Sequence, residues 1–331
     1  MSTEARGLLV SARFLARHGA ALDVAAREGG LALERIVVPD DREARLDPAQ
    51  CARVELAYFS NDVFPERSPA FFAAAFAARN LRWLQVFNAG VDHPVFQRLV
   101  ANGVRLTTAA GSSAEPIAQT AIAGMLMLAR GFPHWLDAQR RQTWEPLAKA
   151  PEDLRGQTLI VFGLGAIGRE IARLAHAFGL HVIGVRRSPA EPGDPVDELH
   201  PPARLRELLP RASWLALACA LNDETRGAID ARALALLPRG ARILNVARGG
   251  VVDEPALIEA LRDGHLAGAY LDVFAEEPLR AESPLWTLPN VIVTPHNSAA
   301  STGNEQRAAQ IFLRNLVRYG RGEPLANEIR A

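Results

Sequence analysis

The sequence of 331 residues contains little cysteine, no excess of charge of either sign and no long apolar run. Its two cysteines, Cys51 and Cys219, are far apart and have no metal-ligand spacing, so a disulfide is only weakly supported and a reduced, cytoplasmic environment is expected. The 37 basic residues balance 37 acidic ones, which excludes an overall field that draws the protein onto nucleic acid or an anionic membrane. Local groups must therefore bind any charged ligand.

No segment of the sequence has the pattern of a membrane-directed element. Charged residues interrupt the N-terminal segment before an apolar run develops, which differs from a secretory signal. The most apolar stretch, 117–129, is too short to span a bilayer and contains Gln119 and Gly124. We interpret this stretch as a buried helix and predict no membrane partner.

The length and the order of the apolar segments predict two α/β domains. A chain of this length corresponds to about two domains of roughly 150 residues each. Short apolar runs alternate with helix-favouring stretches in the first hundred residues and, more regularly, from Gly156 onward, which is typical of parallel strands joined by helices. We predict two Rossmann-like or flavodoxin-like doubly wound parallel-sheet domains with a cleft between them, one of residues 1–112 plus 299–331 and one of residues 113–298.

Two helices frame the second of these domains in the sequence. One helical run is predicted from Pro116, which suits a first helical turn, to about Trp144. The other contains Ile311, Leu313 and Leu316 at helical spacing and is expected to return to the first domain.

A glycine-rich turn carries the clearest binding signal. Gly163, Gly165 and Gly168 form the pattern G-x-G-x-x-G between a predicted strand and a predicted helix. In this context the glycines allow a tight turn, a close approach of backbone to a pyrophosphate, and close helix packing, with the phosphate at the positive helix end. The alternative is a merely structural turn. The predicted dinucleotide contacts are Gly163, Leu164, Gly165, Ala166, Ile167 and Gly168.

The strand that follows ends in arginine where an acidic residue usually stands. Such an acid accepts hydrogen bonds from the ribose hydroxyls of NAD and repels the additional phosphate of NADP. Arg186, Arg187 and Ser188 instead offer guanidinium groups and a hydroxyl to a 2′-phosphate. The alternative is two solvated loop arginines. We predict a preference for NADP(H), with use of NAD(H) left open.

Three further side chains follow predicted strands: Arg248, Glu277 and His296. Ligands of open parallel sheets bind beyond the carboxyl ends of the strands, so these groups are expected beside the dinucleotide. His296 is the candidate proton donor and acceptor for a carbonyl reduced by hydride, because histidine changes protonation near neutral pH. Glu277 would stabilise its imidazolium form, and Arg248 would bind a substrate carboxylate and polarise the adjacent carbonyl.

Each of the three residues also has a structural interpretation. Glu277 suits a solvated loop, His296 a buried hydrogen-bonded position, and Arg248 an ion pair, although all three arising together by chance is much less expected. Other histidines, such as His176 and His181, lack metal-ligand spacing. No metal site is predicted.

Four ordered segments, "GLGAIG", "LNVARGGVVDEPALIEAL", "GAYLDVFAEEPL" and "LPNVIVTPH", resemble the signatures of the D-isomer-specific 2-hydroxyacid dehydrogenases. The resemblance covers about residues 80–300 and implies the roles given above for the arginine, glutamate and histidine. It also implies that backbone N–H groups near Ala89 and Gly90 bind the substrate carboxylate. On the cofactor side it implies contacts from Ala247, Asp272 and Ser298, and it implies a homodimer formed through about Ala118 to Trp144.

The sequence departs from the family pattern at three positions. Many relatives have glutamate at Gln119, proline at Ala220 and an acid at Arg186. The third departure is shared with NADPH-using glyoxylate and hydroxypyruvate reductases. The resemblance therefore implies an oxidoreductase that reduces a small 2-keto acid to the D-2-hydroxy acid. The alternative is a dinucleotide-sensing regulator, because the fold also resembles certain transcriptional corepressors.

The substrate side chain is not specified by these motifs. Trp144 or Trp286 is a candidate to close the substrate pocket, although aromatic residues at such places are more often part of the core.

Overall fold

A computed structural model describes residues 5–41, 44–88, 90–91 and 93–329. The chain forms two compact units, one of residues up to Ser112 together with those from Ser301 onward, and one of Ser113–Ala300. Each unit contains a parallel sheet with helices. The predicted α/β class with two Rossmann-type parallel-sheet domains is confirmed.

Most strands consist largely of buried residues. In chain order they are β1 (Arg6–Val10), β2 (Leu33–Val37), β3 (Val54–Phe59), β4 (Trp83–Val86), β5 (Arg105–Thr107), β6 (Thr158–Phe162), β7 (His181–Val185), β8 (Glu198–His200), β9 (Trp214–Leu217), β10 (Arg242–Asn245), β11 (Gly268–Leu271) and β12 (Val291–Val293).

The α-helices lie mostly between successive strands. In chain order they are α1 (Ala12–Glu28), α2 (Pro48–Arg53), α3 (Ser68–Ala77), α4 (Pro94–Ala101), α5 (Ala114–Ala129), α6 (Phe132–Arg140), α7 (Ala166–Ala177), α8 (Leu205–Leu208), α9 (Ala231–Leu236), α10 (Glu254–Arg262) and α11 (Asn304–Gly320). Among the described residues, none of these helices is long and apolar enough to cross a membrane.

The first unit is a doubly wound sheet with strand order β2-β1-β3-β4-β5. Successive residues of β3 point to opposite faces, so Leu56 and Tyr58 pack with α1 and α11, while Ala57 and Phe59 pack on the other side. The ring of Tyr58 stacks on that of Phe312 from α11 at 4.4 Å between centroids. Helix α11 thus belongs to the core of the first unit.

The second unit has strand order β12-β11-β10-β9-β6-β7-β8, with every pairing parallel. The sequence analysis did not predict β8, at the edge of the sheet. This strand has three residues and is too short to show an alternation of apolar and polar side chains. Hydrogen bonds from Arg211, His200 and His181 hold its Glu198, and they keep the pKa of that carboxyl well below its usual range.

The long helix predicted to run to about Trp144 is wrong in two respects. It is divided into α5 and α6 at Gly131, which has a φ of +77°, a conformation that glycine adopts at no steric cost. The ring nitrogen of Pro133 in the first turn of α6 has no hydrogen to donate to α5. Helix α6 then ends at Arg140, so Trp144 lies outside it.

Candidate active site

The glycine-rich turn joins β6 to α7, and its glycines meet different steric demands. Gly163 has a φ of +99°, and a Cβ there would lie 2.4 Å from backbone atoms of Cys219. A Cβ at Gly168 would lie 2.0 Å from the carbonyl oxygen of Gly163, so α7 packs directly against the turn. Around a Cβ at Gly165, the described residues leave open space to 4 Å. The backbone is therefore accessible to a ligand at Gly165.

The N-terminus of α7 provides donors at this opening. Gly165 is the N-cap and has no side chain to accept from the first-turn N–H groups, which favours an anion at the positive helix end. A cleft of about 430 Å³ lies in front of the turn, lined by Gly163 to Gly165, by Arg186 to Ser188 and by Cys219. These residues fit the phosphates of a dinucleotide.

Cys219 lies in this cleft and is the more exposed of the two cysteines, both of which are free thiols. Burial raises the pKa of the Cys219 thiol to about 11. Because the thiolate is the reactive form, the side chain is protonated near neutral pH and acts as part of the cleft wall.

The two arginines after β7 differ in environment. The Arg186 side chain is 8% exposed and forms an ion pair with Asp194, with Nη2 2.7 Å from Oδ2. The Arg187 side chain is 73% exposed, and its guanidinium lies 3.8 Å from Glu224. Ser188 is exposed next to it. All three predicted contacts line the cleft, but only Arg187 and Ser188 extend into solvent.

The structure brings His296 and Glu277 into direct contact. Nδ1 of His296 lies 2.7 Å from Oε2 of Glu277. The other carboxylate oxygen, Oε1, accepts a hydrogen bond of 3.0 Å from the backbone N–H of Phe274, which fixes the carboxylate. A carboxylate only accepts, so Nδ1 carries the hydrogen, and Nε2 is the ring nitrogen available to a ligand.

Asp272 binds the loop that carries His296 and is a buried residue, 2% exposed. Oδ1 accepts from the hydroxyl of Thr294 at 2.6 Å and from the N–H of Asn297 at 2.9 Å, and both the N–H and the hydroxyl of Ser298 donate to the same carboxylate. His296 itself has a left-handed φ of +49°. The sequence indicated Asp272 and Ser298 only as cofactor contacts, and the hydroxyl of Thr294 was missed.

Arg248 follows β10, which pairs with β11, and β11 in turn pairs with β12. The three candidate side chains therefore follow the carboxyl ends of three adjacent strands. Arg248 is exposed, its Nη1 donates to the carbonyl oxygen of Ala247 at 2.7 Å, and within the described residues no carboxylate lies within 4.0 Å of it.

The next residue, Gly249, contacts the loop of Glu277 through backbone alone. A Cβ at Gly249 would lie 1.8 Å from the carbonyl carbon of Phe274. At Gly249 the loop after β10 and the loop after β11 therefore pack backbone to backbone.

A second cleft, of about 420 Å³, adjoins the histidine and has a mostly apolar wall of Phe274, Pro278, Leu279, Trp286 and Pro295. Trp286 thus lines the cleft, whereas Trp144 is 97% exposed. Of the two residues whose backbone N–H groups are expected to bind the substrate carboxylate together with Arg248, Ala89 lies outside the described residues and Gly90 belongs to the first unit. The described residues contain no cluster of three or more His, Cys, Asp or Glu side chains that would hold a metal.

Comparison with known proteins gives a consistent family. Residues 122–298 match the model "D-isomer specific 2-hydroxyacid dehydrogenase, NAD binding domain". The glyoxylate reductase of Korarchaeum cryptofilum is 32% identical over 257 residues, which are 75% of this chain and 75% of that protein. The D-3-phosphoglycerate dehydrogenase of Methanocaldococcus jannaschii is 34% identical over 254 residues, 76% of this chain, but the chain spans only 48% of its length.

A solved structure extends the similarity over nearly the whole chain. It is a D-isomer specific 2-hydroxyacid dehydrogenase from Xanthobacter autotrophicus Py2 in complex with NADPH and MES. The sequences are 32% identical, the match covers 98% of each chain, and the TM-score is 0.74.

Proposed function

Because the chain belongs to the D-isomer-specific 2-hydroxyacid dehydrogenase family, we propose that it reduces a small 2-keto acid of the glyoxylate or hydroxypyruvate type to the D-2-hydroxy acid, with NADPH as the preferred reductant. The observation that carries this proposal is the contact of 2.7 Å between His296 and Glu277. It lies on the same carboxyl edge of the sheet as the glycine-rich turn, which is where open parallel sheets bind ligands.

The cleft at the glycine-rich turn fits the dinucleotide. Gly165 leaves room for a pyrophosphate, and the uncapped start of α7 supplies N–H donors. Arg186, Arg187 and Ser188 line the part of the cleft that follows β7 and favour a 2′-phosphate over free ribose hydroxyls. When bound, NADPH supplies the hydride that reduces the carbonyl carbon of the substrate.

His296 is the general acid of this reaction. Its Nδ1–H is held by Glu277, so Nε2–H of the imidazolium form donates a proton to the carbonyl oxygen as that oxygen becomes an alkoxide. The carboxylate of Glu277 stabilises the positive ring before the transfer. In the reverse direction the neutral ring accepts the proton of the hydroxy acid.

Arg248 binds the substrate carboxylate. Its exposed guanidinium has no carboxylate within 4.0 Å among the described residues and presents a planar set of N–H donors. Those donors also stabilise negative charge as it develops on the adjacent carbonyl oxygen.

The test of the proposed function follows the absorbance of NADPH, and in parallel of NADH, after addition of glyoxylate, hydroxypyruvate, pyruvate or a bulkier 2-keto acid. We expect turnover of at least one small 2-keto acid and a higher kcat/KM with NADPH than with NADH. Tight dinucleotide binding without turnover on this panel would favour the regulatory alternative. Equal kcat/KM values with both dinucleotides would contradict the cofactor preference.

Replacement of Arg248 with alanine should raise KM for the 2-keto acid by about tenfold to a hundredfold, because a hydrogen bond to a charged group contributes about 1.5–3 kcal/mol. It should also lower kcat. Arg239→Ala is the matched control, because Arg239 is an exposed arginine that precedes β10, at the opposite end of the same strand. A KM for Arg248→Ala within threefold of both the wild type and the control would remove Arg248 from substrate binding.

We also propose that the protein is a cytoplasmic homodimer. The exposed apolar side chains of Phe132, Trp135 and Leu136 on α6 support association of two copies through this part of the chain. Light scattering that gives the mass of a monomer at micromolar concentration would contradict the dimer.

A further inference from the structure

The guanidinium of Arg186 is enclosed by acceptors of its own loop, residues 186–194. Nη1 and Nη2 donate to the two oxygens of Asp194 at 2.9 and 2.7 Å, Nε donates to the carbonyl oxygen of Ser188 at 3.2 Å, and Nη2 also donates to the carbonyl oxygen of Pro189. A guanidinium has five N–H donors. Arg186 therefore has little capacity left for a phosphate.

Asp194 connects three parts of the second unit. Its side chain is 7% exposed, and besides Arg186 it binds Nη1 of Arg169, a residue of α7, and the backbone N–H of Glu191 at 2.7 Å. Burial raises the pKa of the Asp194 carboxyl, but these hydrogen bonds and the two arginine charges outweigh that effect and lower it. A single carboxylate thus joins the helix after the glycine-rich turn, the end of β7 and the loop.

Among the described residues, the next two residues of this loop, Arg187 and Ser188, have donors with no hydrogen-bond partner. The side chain of Arg187 is 73% exposed, and its one ion pair with the part of the chain that the structure describes is with Glu224, at 3.8 Å. The hydroxyl of Ser188 and the backbone N–H groups of Arg187 and Ser188 make no hydrogen bond with the described residues. Arg186 donates hydrogen bonds to the carbonyl oxygens of Ser188 and Pro189. The negative ends of these two peptide dipoles therefore point toward its guanidinium.

We propose that Asp194 is a positioning residue for recognition of the 2′-phosphate of NADPH, which makes Arg186 the anchor of the 186–194 loop and leaves Arg187 and Ser188 as the phosphate ligands. The inference rests on the proposed NADPH preference. Asp194 and Arg186 hold the loop in one conformation before the cofactor binds. The cofactor therefore does not have to order the loop, and its binding is tighter for that reason. NADH has no 2′-phosphate and does not depend on this loop to the same extent.

The proposal and a simple charge argument predict opposite results for the removal of Asp194. Loss of a negative charge close to a phosphate should tighten binding if only the summed charge matters. If Asp194 positions the loop, its loss instead leaves Arg186 and Arg169 with the exposed and more distant Glu191, at 4.0 and 3.6 Å, as their shared counterion. The loop is then held less firmly, and binding of the phosphate weakens.

The experiment measures Kd for NADP⁺ and NAD⁺ by titration calorimetry on the wild type, Asp194→Ala and Asp194→Asn, with melting temperatures to confirm folding. We expect Asp194→Ala to raise Kd for NADP⁺ about tenfold or more and to change Kd for NAD⁺ less than about threefold. Asp194→Asn retains an acceptor for the N–H of Glu191 and should be intermediate, so it also serves if the alanine variant does not fold.

Two comparisons complete the design. Asp197→Ala makes the same change of net charge in the same segment, and the contacts of Asp197 are with Val182, His176 and His181. This control should retain the wild-type ratio of the two Kd values. Arg187→Ala should weaken NADP⁺ binding without lowering the melting temperature, whereas Arg186→Ala should affect both.

Different results would contradict the NADPH preference and the positioning role of Asp194. A wild-type protein that binds NAD⁺ as tightly as NADP⁺ would overturn the cofactor preference and this inference with it. A wild-type preference for NADP⁺ that is unchanged or stronger in Asp194→Ala would overturn the positioning role alone and would identify Arg186 as a ligand for which Asp194 competes.

Discussion

Replacing His296 with alanine should lower kcat for 2-keto acid reduction by about a hundredfold or more, the range that a positioned acid or base contributes. The alanine variant lacks both the Nδ1–H that binds Glu277 at 2.7 Å and the Nε2–H that would protonate the substrate oxygen. Binding of the dinucleotide should change little, because the glycine-rich turn and α7 are built from other segments. Steady-state kinetics and a separate titration with NADPH measure the two effects.

His265→Ala is the matched control for this variant. His265 precedes β11, at the opposite end of the strand from Glu277, and its Nε2 lies 3.1 Å from the carbonyl oxygen of Leu234. Its loss should leave kcat within a few fold of the wild type. A kcat for His296→Ala that is equally close to the wild type would exclude His296 from proton transfer.

Glu277→Gln separates the charge of the carboxylate from its position. The amide oxygen of glutamine can still accept the N–H of Phe274 or the Nδ1–H of His296, but it does not balance an imidazolium charge. We expect kcat to fall in this variant while the melting temperature stays close to that of the wild type. A normal rate would mean that Glu277 orients the ring without stabilising its charge.

Asp272→Ala should lower the free energy of unfolding of the second unit by about 3 kcal/mol or more, because each buried donor left without a partner costs about 1–3 kcal/mol. The buried donors concerned are the hydroxyl and the N–H of Ser298, and the partly buried hydrogen bonds from the hydroxyl of Thr294 and the N–H of Asn297 are lost with them. The loop that carries His296 loses its main attachment, so turnover should fall as well. Urea denaturation followed by tryptophan fluorescence gives the change in stability.

Asp253→Ala provides a scale for this effect. Asp253 caps α10 and accepts one N–H, that of Ala256, at 3.2 Å, so its replacement should cost about 1 kcal/mol. Equal losses of stability in the two alanine variants would show that the hydrogen bonds to Asp272 together contribute no more than the one capping hydrogen bond to Asp253.

The sequence predicted those parts of the site that depend on local pattern and strand order. The glycine positions at 163, 165 and 168 require little more than a strand, a turn and a helix, and all three appear where the pattern indicates. His296 and Glu277 follow the paired strands β12 and β11, so their proximity was expected from the edge of the sheet on which such residues lie. Their chemical roles remain predictions.

Contacts within loops that fold back on themselves could not be predicted from the sequence. Nothing in the order of residues indicates that Asp194 returns to Arg186, or that Asp272 binds Thr294 and the backbone after His296. The break at Gly131 is different, because it has a local signal in the sequence: a glycine two residues before a proline. The prediction gave more weight to the continuous apolar pattern and so missed it.

The direct backbone contact at Gly249 restricts how the proposed substrate range of this protein can be altered. Because the two loops meet backbone to backbone at Gly249, this position has no side chain to shorten or enlarge, and a larger residue there would displace the loop of Glu277. A mutant library for the proposed reduction of larger or smaller 2-keto acids should therefore leave position 249 unchanged and vary Leu279 and Trp286, two side chains of the apolar wall beside His296.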